Sequence, residues 1–588
     1  MPPRTIHGLL SNAAATYTTN PALHWSALES GKRSWKSLNW HEYLQAAQEI
    51  AAGLHSLGLQ PGQLAAIHSE TRMEFYLADL GIMIAGGISA ALYTAYPPPD
   101  QIKTLRRLNP HTAFVETPAI LAKLLSAADP PLSTRYILLT GTPDTNHALT
   151  LDQLRAKGRE AIAANPTLLE TLRAIVKPED PAILYLTSGA TGEPKMGLVS
   201  HGAMIDNVRM APATPGLETG PNDRTIAFLP SAHITQRLVV EILPILTGMP
   251  VYFSEGLSKL PHELKHVRPT FFVAPPRVWE RMYSSICAEL KKKPALIQRV
   301  FWGALGLGIE LHNRRIANQS APAWMTAAWK LADRLIFQTI RQRLGGELRL
   351  AISGAAPLGK DLADFYAAIG MPIHEGYGLT EGGVVALNPI GRPKSGSIGK
   401  PLPGVEMKTN GDGELIFRSP TLFSGYYQDD SATASILQDG WLHTGDVAEF
   451  DAEGYVYITG RKKEVIVSSN GKKIYPAAIE GLFKMEPLIH QVLILGDQLP
   501  YAAALFTLNP TVQETAKGEL QAELKRIVAK VNRQLAPFEQ VRKWQVLDRE
   551  FTIEAGELTP TMKVRRARVL ENHRKAVQSL YGQHAADD

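Results

Sequence analysis

A loop of glycine and hydroxyl residues that ends in a lysine lies directly after the apolar run 183–186. Gly189 and Gly192 let the backbone approach a ligand closely, and Lys195 adds a mobile positive charge. Backbone N–H groups, hydroxyls and a cation in one loop are suited to binding a polyphosphate. The candidate binding residues of this loop are Thr187, Ser188, Gly189, Ala190, Thr191, Gly192 and Lys195.

This loop differs from the common phosphate-binding loop of nucleoside triphosphatases. Glu193, Pro194 and Lys195 follow Gly192, whereas the common loop has Gly-Lys-Ser/Thr opening a helix. Pro194 also removes a backbone donor. For this stretch taken alone, a flexible surface turn is the alternative.

Further motifs follow in order along the chain and favour the nucleotide. They are 354–358 (GAAPL), 376–381 (GYGLTE), 441–446 (WLHTGD), 460–464 (GRKKE) and 558–563 (LTPTMK). In this order and spacing they resemble the adenylate-forming superfamily of acyl-CoA synthetases, peptide-synthetase adenylation domains and luciferases. The resemblance covers the chain from Trp40 to about Tyr581.

The resemblance implies a site for ATP and Mg²⁺. The loop 187–195 would bind the β- and γ-phosphates, Thr380 would contact the phosphates, and Glu381 would hold Mg²⁺. One carboxylate together with phosphate oxygens is a usual coordination for this hard cation. A solvated surface acid is the alternative for Glu381.

The resemblance also assigns the nucleoside and the catalytic groups. Tyr377 offers a flat face to the adenine, and Asp446 accepts the ribose hydroxyls with help from Arg461. Lys563 becomes the catalytic lysine that bridges the attacking carboxylate and the α-phosphate. The other residues expected around the nucleotide are Gly354, Ala355, Ala356, Glu375, Gly376 and Gly378.

Three more positions are implied for the second half of the reaction. His233 would lie where the carboxylate and the thiol meet, although a lone histidine is usually a core residue. Lys463 would be a hinge, and Gly471 would line a passage for the pantetheine arm of CoA.

Residues 229–237 and 331–346 are similar to the long-chain acyl-CoA synthetase branch. The expected activity is therefore ATP-dependent conversion of a fatty acid to acyl-adenylate, followed by thioester formation with CoA. The alternatives are a fatty acyl-AMP ligase that delivers to a carrier protein, or a ligase for another hydrophobic carboxylic acid. A nucleotide-sensing or scaffold protein with a dead site is disfavoured, because every charged residue of the motifs is present.

The sequence departs from the family pattern at a few positions. Ala190 replaces a threonine, Met196 replaces a glycine, and Asn470 stands where a glycine is frequent. Both loop glycines and the lysine remain, so phosphate binding is still expected. Asn tolerates positive φ, so the turn at 470 can still form.

Composition limits the protein class. The 588 residues are 45% hydrophobic and 20% charged, close to a soluble globular average, and the net charge of +5 is too small for a generic nucleic-acid binder. Cys287 is the single cysteine, which excludes an internal disulfide. The first residues have no apolar core of a secretion signal. These features predict a cytoplasmic protein.

Hydrophobic periodicity predicts an α/β fold with two alternating series, starting near 39 and 182, then a small β unit from 411. The apolar stretch 77–96 is interpreted as a buried helix and strand, because it holds Asp79 and ends in prolines. The resemblance divides the chain into an N-terminal adenylating domain, 1–462, and a mobile α+β C-terminal domain, 463–588.

Two surface features leave alternatives open. Lys563, Arg565 and Arg566 are expected to meet phosphates, whereas Arg568 and Lys575 are expected on a solvated helix face. Trp324, Leu331 and Leu335 recur at helical spacing, with Trp329 and Ile336 on a neighbouring stripe. This face could gate lipid entry or dock on a membrane, but core packing is favoured. The oligomeric state, including a homodimer, stays open.

Overall fold

The computed structural model describes residues 2–29, 32–126, 134–143, 148–187, 194–469, 471–515, 519–559 and 562–582. Most of the first elements build one large sheet and its covering helices, whereas the first two strands belong to a separate sheet with two strands of the following series. They are α1 Ile6–Tyr17, β1 Pro21–Glu29, β2 Lys32–Asn39, α2 Trp40–Ser56, β3 Leu64–His68, α3 Met73–Ile84, β4 Ile88–Ala91, α4 Pro98–Leu108, β5 Thr112–Val115, α5 Pro118–Leu125, β6 Arg135–Leu138, β7 Ala148–Thr150, α6 Leu151–Ala164, α7 Leu168–Ile175, β8 Pro181–Thr187, β9 Lys195–Ser200 and α8 His201–Met210.

A second α/β series follows and contains two π-helical segments. Its elements are β10 Thr225–Ala227, the π-helical Gln236–Ile242, α9 Leu243–Thr247, β11 Val251–Phe253, α10 Leu260–Val267, β12 Phe271–Ala274, α11 Pro276–Lys291, α12 Ala295–Ile316, α13 Ala323–Ala332, the π-helical Asp333–Phe337, α14 Gln338–Gln342, β13 Leu350–Ser353, α15 Lys360–Ala368, β14 Ile373–Leu379, β15 Gly383–Leu387 and β16 Lys400–Pro401.

A small antiparallel β unit and a C-terminal α+β domain complete the chain. The β unit contains β17 Glu406–Thr409, β18 Glu414–Arg418, β19 Gly425–Tyr426, α16 Asp430–Ile436, β20 Leu437–Gln438, β21 Trp441–Phe450 and β22 Val456–Arg461. After the 3₁₀ turn Lys462–Glu464 come β23 Ile466–Val467, β24 Lys473–Ile474, α17 Pro476–Lys484, β25 Ile489–Leu495, β26 Ala502–Leu508, α18 Pro510–Thr515, α19 Leu520–Asn532, β27 Val541–Val546, α20 Arg566–Asn572 and α21 Arg574–Tyr581.

The sheets explain why the motifs meet. The first sheet has the order β19-β9-β8-β4-β3-β5-β6-β7, and the second has β12-β13-β14-β15-β16. In both sheets the central strands are parallel, and the motifs at 187–195 and 354–358 follow the carboxyl ends of β8 and β13. Ligands of open parallel sheets bind at such strand ends. The predicted α/β class, with a large N-terminal and a small C-terminal domain, is confirmed.

Local sequence accounts for these elements. Asn39 caps α2 through a reciprocal capping box with Glu42, which fixes where that helix begins. The strand predicted at 64–68 is β3 and is buried throughout, as expected for a strand covered on both faces. The stretch 77–96 forms the end of α3 and strand β4, both buried, so that interpretation is confirmed.

The prediction that the stripe in α13 and the following π-helical segment packs into the core is wrong. Trp324, Leu331 and Leu335 are 67%, 60% and 68% exposed. Only the neighbouring stripe packs inward, since Trp329 and Ile336 lie partly buried against the core of the second sheet. Periodicity correctly predicted which residues share a face, but it could not predict what covers that face. Among the described residues, no helix is both long and apolar enough to cross a bilayer.

Candidate active site

A cleft of about 1480 Å³ is bordered by the N-terminal sheets, the small β unit and the C-terminal domain. It gathers motif residues that are far apart in sequence. The predicted residues along it are Thr187, Lys195, His233, Gly354, Ala355, Ala356, Glu375, Gly376, Tyr377, Gly378, Thr380, Glu381, Asp446, Arg461, Lys463 and Lys563. Most of the predicted positions therefore share one cavity.

The glycine-rich loop joins two paired strands at the edge of this cleft. Thr187 at the end of β8 pairs with Lys195 at the start of β9. The Lys195 ammonium lies 4.6 Å from the centroid of the Tyr426 ring, an arrangement suited to a cation–π contact. The loop residues Ser188, Gly189, Ala190, Thr191 and Gly192 lie outside the described residues, as does Asn470.

Met196, the second departure from the family pattern, does not face the cleft. It is 2% exposed and packs in the core beneath β9. Methionine in place of glycine at this position thus adds volume to the core and leaves the adjacent Lys195 at the edge of the cleft.

Asp446 is held from both sides, by its predicted partner Arg461 and by Tyr377, whose contact with it was not predicted. The Tyr377 hydroxyl donates to Oδ2 at 2.5 Å, and Nε of Arg461 lies 2.9 Å from Oδ1. Antiparallel pairing of β21 with β22 places Asp446 opposite Arg461. Burial and the adjacent Asp446 carboxylate raise the pKa of Tyr377 well above its usual value. Each carboxylate oxygen keeps a lone pair that can accept a ribose hydroxyl.

The backbone around the expected adenine position is tightly constrained. A Cβ at Gly378 would lie 2.3 Å from the carbonyl oxygen of Gly383, so a side chain there would collide with the main chain. Ala355 has φ 70°, in the left-handed region that an alanine seldom adopts. Such strained conformations persist where the surrounding structure enforces them, often at ligand sites.

Glu381 has a partner that the motifs did not predict. The Tyr426 hydroxyl donates to Oε1 of Glu381 at 2.6 Å. Burial and the Glu381 charge together raise the pKa of Tyr426, so this hydroxyl remains a donor. Tyr426 therefore orients the carboxylate and also lies beneath Lys195. The sequence signal was weak, because this tyrosine lies in the two-residue strand β19, outside the recognised motifs.

Lys563 reaches the cleft from a tight turn of the C-terminal domain. Its backbone N–H donates to the Thr559 hydroxyl at 3.0 Å, and its carbonyl accepts from the Thr559 N–H at 2.8 Å. Met562 has φ 65°, which completes the turn. Burial lowers the pKa of the Lys563 ammonium to about 8, and the positive charge of Arg461 acts in the same direction. Pro560 and Thr561 lie outside the described residues.

His233 is a neutral donor toward the cleft. The backbone N–H of Thr235 donates to its Nδ1 at 3.2 Å, so the ring proton resides on Nε2. Burial, with a smaller effect of the Lys563 charge, lowers the pKa of His233 to about 3. An imidazole in this state can donate a hydrogen bond to a carboxylate at neutral pH without carrying charge.

Glu375 is a further titratable group of the cleft with a shifted pKa. It is 6% exposed, and its Oε1 accepts the backbone N–H of Leu358 at 3.2 Å. Burial raises the pKa of Glu375 to about 7. A carboxyl in this state fixes the 354–358 loop while carrying only part of a full negative charge at neutral pH.

One side of the cleft is apolar, and we call it the apolar arm. It is lined by Val208, Ala211, Leu217, Leu238 and Leu243. These residues come from α8, the loop after it, the π-helical segment Gln236–Ile242 and α9. Such a lining excludes water and favours a hydrocarbon chain. Sequence reasoning missed these residues, since isolated apolar positions in several elements look like ordinary core.

Arg237, at the start of that π-helical segment, anchors it in the protein interior. Its guanidinium pairs with Asp79 and donates to the Ser89 hydroxyl at 2.8 Å, and both charged side chains are fully buried. Burial and the nearby Asp79 charge raise the pKa of Glu241 well above its usual value. A neutral Glu241 beside one ion pair leaves this cluster without net charge.

The two domains also touch at a second place, away from Lys563. Arg277 at the start of α11 donates to the His490 carbonyl at 2.9 Å and to its Nε2 at 2.6 Å. Burial, then the charges of Arg277 and Arg281, lowers the pKa of His490 to about 4, so the ring accepts this bond as a neutral group. This contact was not predicted, because it joins residues 213 positions apart.

The residue predicted as the hinge borders the cleft, whereas the residue predicted to line the passage for CoA does not. Lys463 lies in the exposed 3₁₀ turn after β22 and borders the cleft. Gly471 has φ 76° and lies in an exposed turn whose N–H donates to the Ser468 carbonyl at 2.8 Å. The residues bordering the cleft do not include Gly471. The structure therefore brings Lys563 to the cleft and leaves the Gly471 turn on the surface.

The basic C-terminal stretch divides between the cleft and the surface. Arg566 borders the cleft and pairs with Glu480 at 2.6 Å, and its contact with phosphates stays a prediction. Arg568 and Lys575 are exposed, as predicted, and Arg568 pairs with Glu571 at 2.5 Å. A basic cluster in sequence does not reveal which members have acidic partners in the fold.

Family models match most of the chain. The model described as AMP-binding enzyme matches residues 10–427, and that described as AMP-binding enzyme C-terminal domain matches residues 463–585. The chain is 32% identical over 568 residues to the long-chain-fatty-acid–CoA ligase FadD15 of Mycobacterium bovis, covering 93% of this chain and 92% of the relative. It is 27% identical to the long-chain-fatty-acid–CoA ligase ACSBG2 of Rattus norvegicus, over 98% and 93% of the two chains.

Solved structures share the fold. The adenylation domain of a carboxylate reductase from Mycobacterium chelonae superposes with a TM-score of 0.76 at 20% identity, covering 98% of this chain and 91% of that chain. ATP-bound MatB from Rhodopseudomonas palustris has a TM-score of 0.71 at 21% identity, covering 97% and 99%. At these identities the likeness concerns the fold alone.

Proposed function

Because the chain belongs to the family of AMP-binding enzymes, we propose that it is an ATP-dependent fatty acyl-CoA synthetase acting on long-chain acids. The long-chain-fatty-acid–CoA ligases at 27% and 32% identity support this substrate class. One observation carries the proposal: Lys563, from the C-terminal domain, lines the same cleft as Glu381 and Asp446.

In the first half-reaction, an acid carboxylate attacks the α-phosphate of ATP and pyrophosphate leaves. Both reactants are anions, so the site must neutralise charge and align them. With a pKa of about 8, Lys563 is largely protonated at pH 7 and can bridge the two groups. The neutral His233 donates a hydrogen bond from its Nε2–H to the acyl carboxylate, which orients the carboxylate without adding charge.

The nucleotide would be oriented by the remaining polar groups. Asp446, fixed by Tyr377 and Arg461, accepts the ribose hydroxyls. Lys195 and Thr380, which also border the cleft, would hold the phosphates. These roles, and those of the glycine-rich loop, are inferences from the motif and the cavity together.

The residues fit a magnesium ion only when phosphates supply most of its ligands. No group of three or more His, Cys, Asp or Glu side chains converges in the described ranges, so a cage made by protein alone is absent there. Glu381, oriented by Tyr426, supplies one carboxylate oxygen next to the Thr380 hydroxyl. This set suits Mg²⁺ bound together with ATP, where the cation neutralises phosphate charge.

In the second half-reaction, the thiol of CoA displaces AMP from the acyl-adenylate. We place the domain boundary between 462 and 463 and the pivot at Lys463, since this exposed turn follows the last strand of the β unit. Rotation there would withdraw Lys563 and bring the Gly471 turn to the acyl-adenylate. The positive φ of Gly471 suits a turn that must leave room for a narrow ligand.

The hinge can be tested by Lys463→Pro. Proline fixes φ near about −65° and restricts a segment that must adopt two backbone states. Pyrophosphate release should largely persist while acyl-CoA production collapses, with both measured in one preparation. Acyl-CoA formation at the wild-type rate would show that the pivot is elsewhere.

A substrate panel tests the proposed function as a whole. Saturated acids from short to very long would be supplied with ATP and Mg²⁺, and AMP release would be measured with and without CoA. We expect AMP release that requires CoA and favours long chains. Pyrophosphate release without acyl-CoA would indicate a carrier-protein acceptor, and activity confined to other hydrophobic acids would identify another ligase.

The proposal also covers the location of the enzyme in the cell. We propose a cytoplasmic protein that takes its acid at a membrane surface, since long-chain acids partition into lipid. The homodimer remains a prediction, to be checked by sedimentation velocity.

A further inference from the structure

Exposed apolar side chains concentrate in one helical hairpin. Within the described ranges thirteen large hydrophobic residues are exposed, and seven of them lie between positions 296 and 335. These seven are Leu296, Ile297, Val300, Trp302, Trp324, Leu331 and Leu335. The other six are spread over the rest of the chain, so the clustering is a property of this hairpin.

The hairpin consists of α12, followed in antiparallel direction by α13 and α14. Its two arms meet at the rings of Phe301 and Phe337, whose centroids lie 6.1 Å apart, and Arg343 at the end of α14 pairs with Glu289 of α11 at 2.5 Å. Both arms bury one stripe in the same core, which contains Phe301, Leu305 and Phe337. Their opposite faces therefore form a common outer surface, which we call the hairpin face.

The hairpin is also strongly basic. Residues 289–343 contain ten basic and three acidic residues, giving a net charge of +7 in a chain whose total is +5. All three acids are bound within the segment: Glu289 by Arg343, Glu310 by Arg314 and Asp333 by Arg341. The surplus cations are Lys291, Lys292, Lys293, Arg299, Arg315, Lys330 and Arg334, all exposed.

Exposed Trp and Leu side chains beside unneutralised Lys and Arg match the chemistry of an anionic bilayer surface. The apolar groups enter the boundary between headgroups and acyl chains, and each cation near an anionic surface adds about 1 kcal/mol. We propose that the hairpin face docks the protein on anionic lipid. The docking rests on the hairpin alone, whereas its use in collecting substrate rests on the proposed function.

The hairpin is connected directly to the cleft. Helix α11 borders the cleft with Arg277, Glu280 and Tyr283, and it ends at Lys291, where the basic run begins. A helix of 16 residues spans about 24 Å, so the start of the basic run lies within one helix length of the cleft.

Vesicle binding tests the docking. Sedimentation of the full chain would be compared on vesicles of phosphatidylcholine alone and of phosphatidylcholine with phosphatidylglycerol. We expect binding only to the anionic vesicles and its loss at high salt. In the triple variant Lys291→Gln, Lys292→Gln, Lys293→Gln, the partition coefficient should fall about fivefold per removed cation, equivalent to about 1 kcal/mol each.

A second variant, with its own control, tests how much the apolar side chains contribute to vesicle binding. Trp324→Ser, Leu331→Ser and Leu335→Ser together should lower binding at least tenfold, whereas Leu28→Ser with Leu257→Ser removes equally exposed apolar groups elsewhere and should leave binding unchanged. The matched charge control is Lys123→Gln, Lys157→Gln and Lys525→Gln, three exposed lysines in other helices. Thermal unfolding would check that every variant folds.

Several results would overturn the proposal. These are equal binding to both kinds of vesicle, unchanged binding of the hairpin variants, or losses of the same size in the controls. Conversion of a dimer to a monomer by the hairpin variants would show instead that a second copy covers the face. AMP release from a long-chain acid in the absence of vesicles measures the proposed function separately, so its absence in the wild type would not affect the binding result.

Discussion

The two ends of the cleft are built in different ways. The end to which we assign the nucleotide consists of short contiguous motifs whose polar groups bind one another, as Tyr377, Asp446 and Arg461 do. The apolar arm is assembled from single side chains such as Val208, Ala211 and Leu243, which belong to separate elements. Charge positions depend on hydrogen-bond geometry, whereas an apolar wall depends mainly on volume. The first end should therefore be intolerant of substitution, and the second should change preference instead of losing activity.

The largest expected effect is at Lys563. Removing one pre-organised cation typically costs about 10²–10³ in rate, so Lys563→Ala should lower acyl-adenylate formation by that factor. Thioester formation from supplied acyl-AMP should continue, because the charge is needed only while the α-phosphate is attacked. The exposed Lys575→Ala, in the same domain, is the control. Equal loss of both half-reactions would show that the role of Lys563 is misassigned.

Glu381→Gln should have the next largest effect. The amide keeps the shape but removes the negative charge that would face Mg²⁺, so turnover should fall at least about tenfold and need more magnesium. Titration of AMP release against Mg²⁺ measures this. The unfolding temperature should hardly change. A magnesium dependence identical to that of the wild type would remove the metal role of Glu381.

At the other end, Ala211→Phe should change which acid is used. The ring would occupy part of the apolar arm. Each methylene group of the acid that the ring displaces should lower kcat/KM about 10-fold or more. Longer acids should lose at least that much, while short acids and the KM for ATP remain as in the wild type. A uniform loss for all chain lengths would contradict the assignment of the arm to the acyl chain.

The smallest effect is that of pH. Because the pKa of Lys563 is lowered to about 8, the proton is present below pH 8 and is lost above it. Adenylation kcat/KM should therefore be about half its maximum at pH 8 and fall tenfold per unit beyond, as the Henderson–Hasselbalch relation requires. His233 titrates near pH 3 and should leave no trace between pH 6 and 8. An activity constant from pH 7 to 10 would contradict a protonated lysine.

The same contrast explains what the sequence could predict. The run 376–381 fixes Tyr377, Thr380 and Glu381 by their order, because residues on one strand and turn cannot separate in space. The family resemblance placed Asp446 and Arg461 together at the ribose, and the structure brings the two side chains into contact. The predicted α/β alternation is also present in the sheets. These predictions rest on contiguous motifs and on local periodicity.

Other parts of the site could not be predicted from pattern. Tyr426 orients Glu381 from 45 positions away, and no spacing rule links the two. The apolar arm resembles ordinary core in sequence, since its residues differ from core only in facing a cavity. The stripe of Trp324, Leu331 and Leu335 was assigned to the core because periodicity reports a shared face and not its neighbour. All three cases depend on which distant segments pack together.

The contact between Arg277 and His490 has a consequence for timing. On the proposed rotation, its two hydrogen bonds exist in one arrangement of the domains and must break before the other forms. At about 1 kcal/mol each, two such bonds bias the equilibrium between the arrangements about 30-fold. Arg277→Ala should then slow adenylation and, where rotation limits turnover, hasten thioester formation, and single-molecule distance measurements would check whether the populations shift. The Arg277 guanidinium would thus help to set what fraction of the molecules is in the arrangement for each half-reaction.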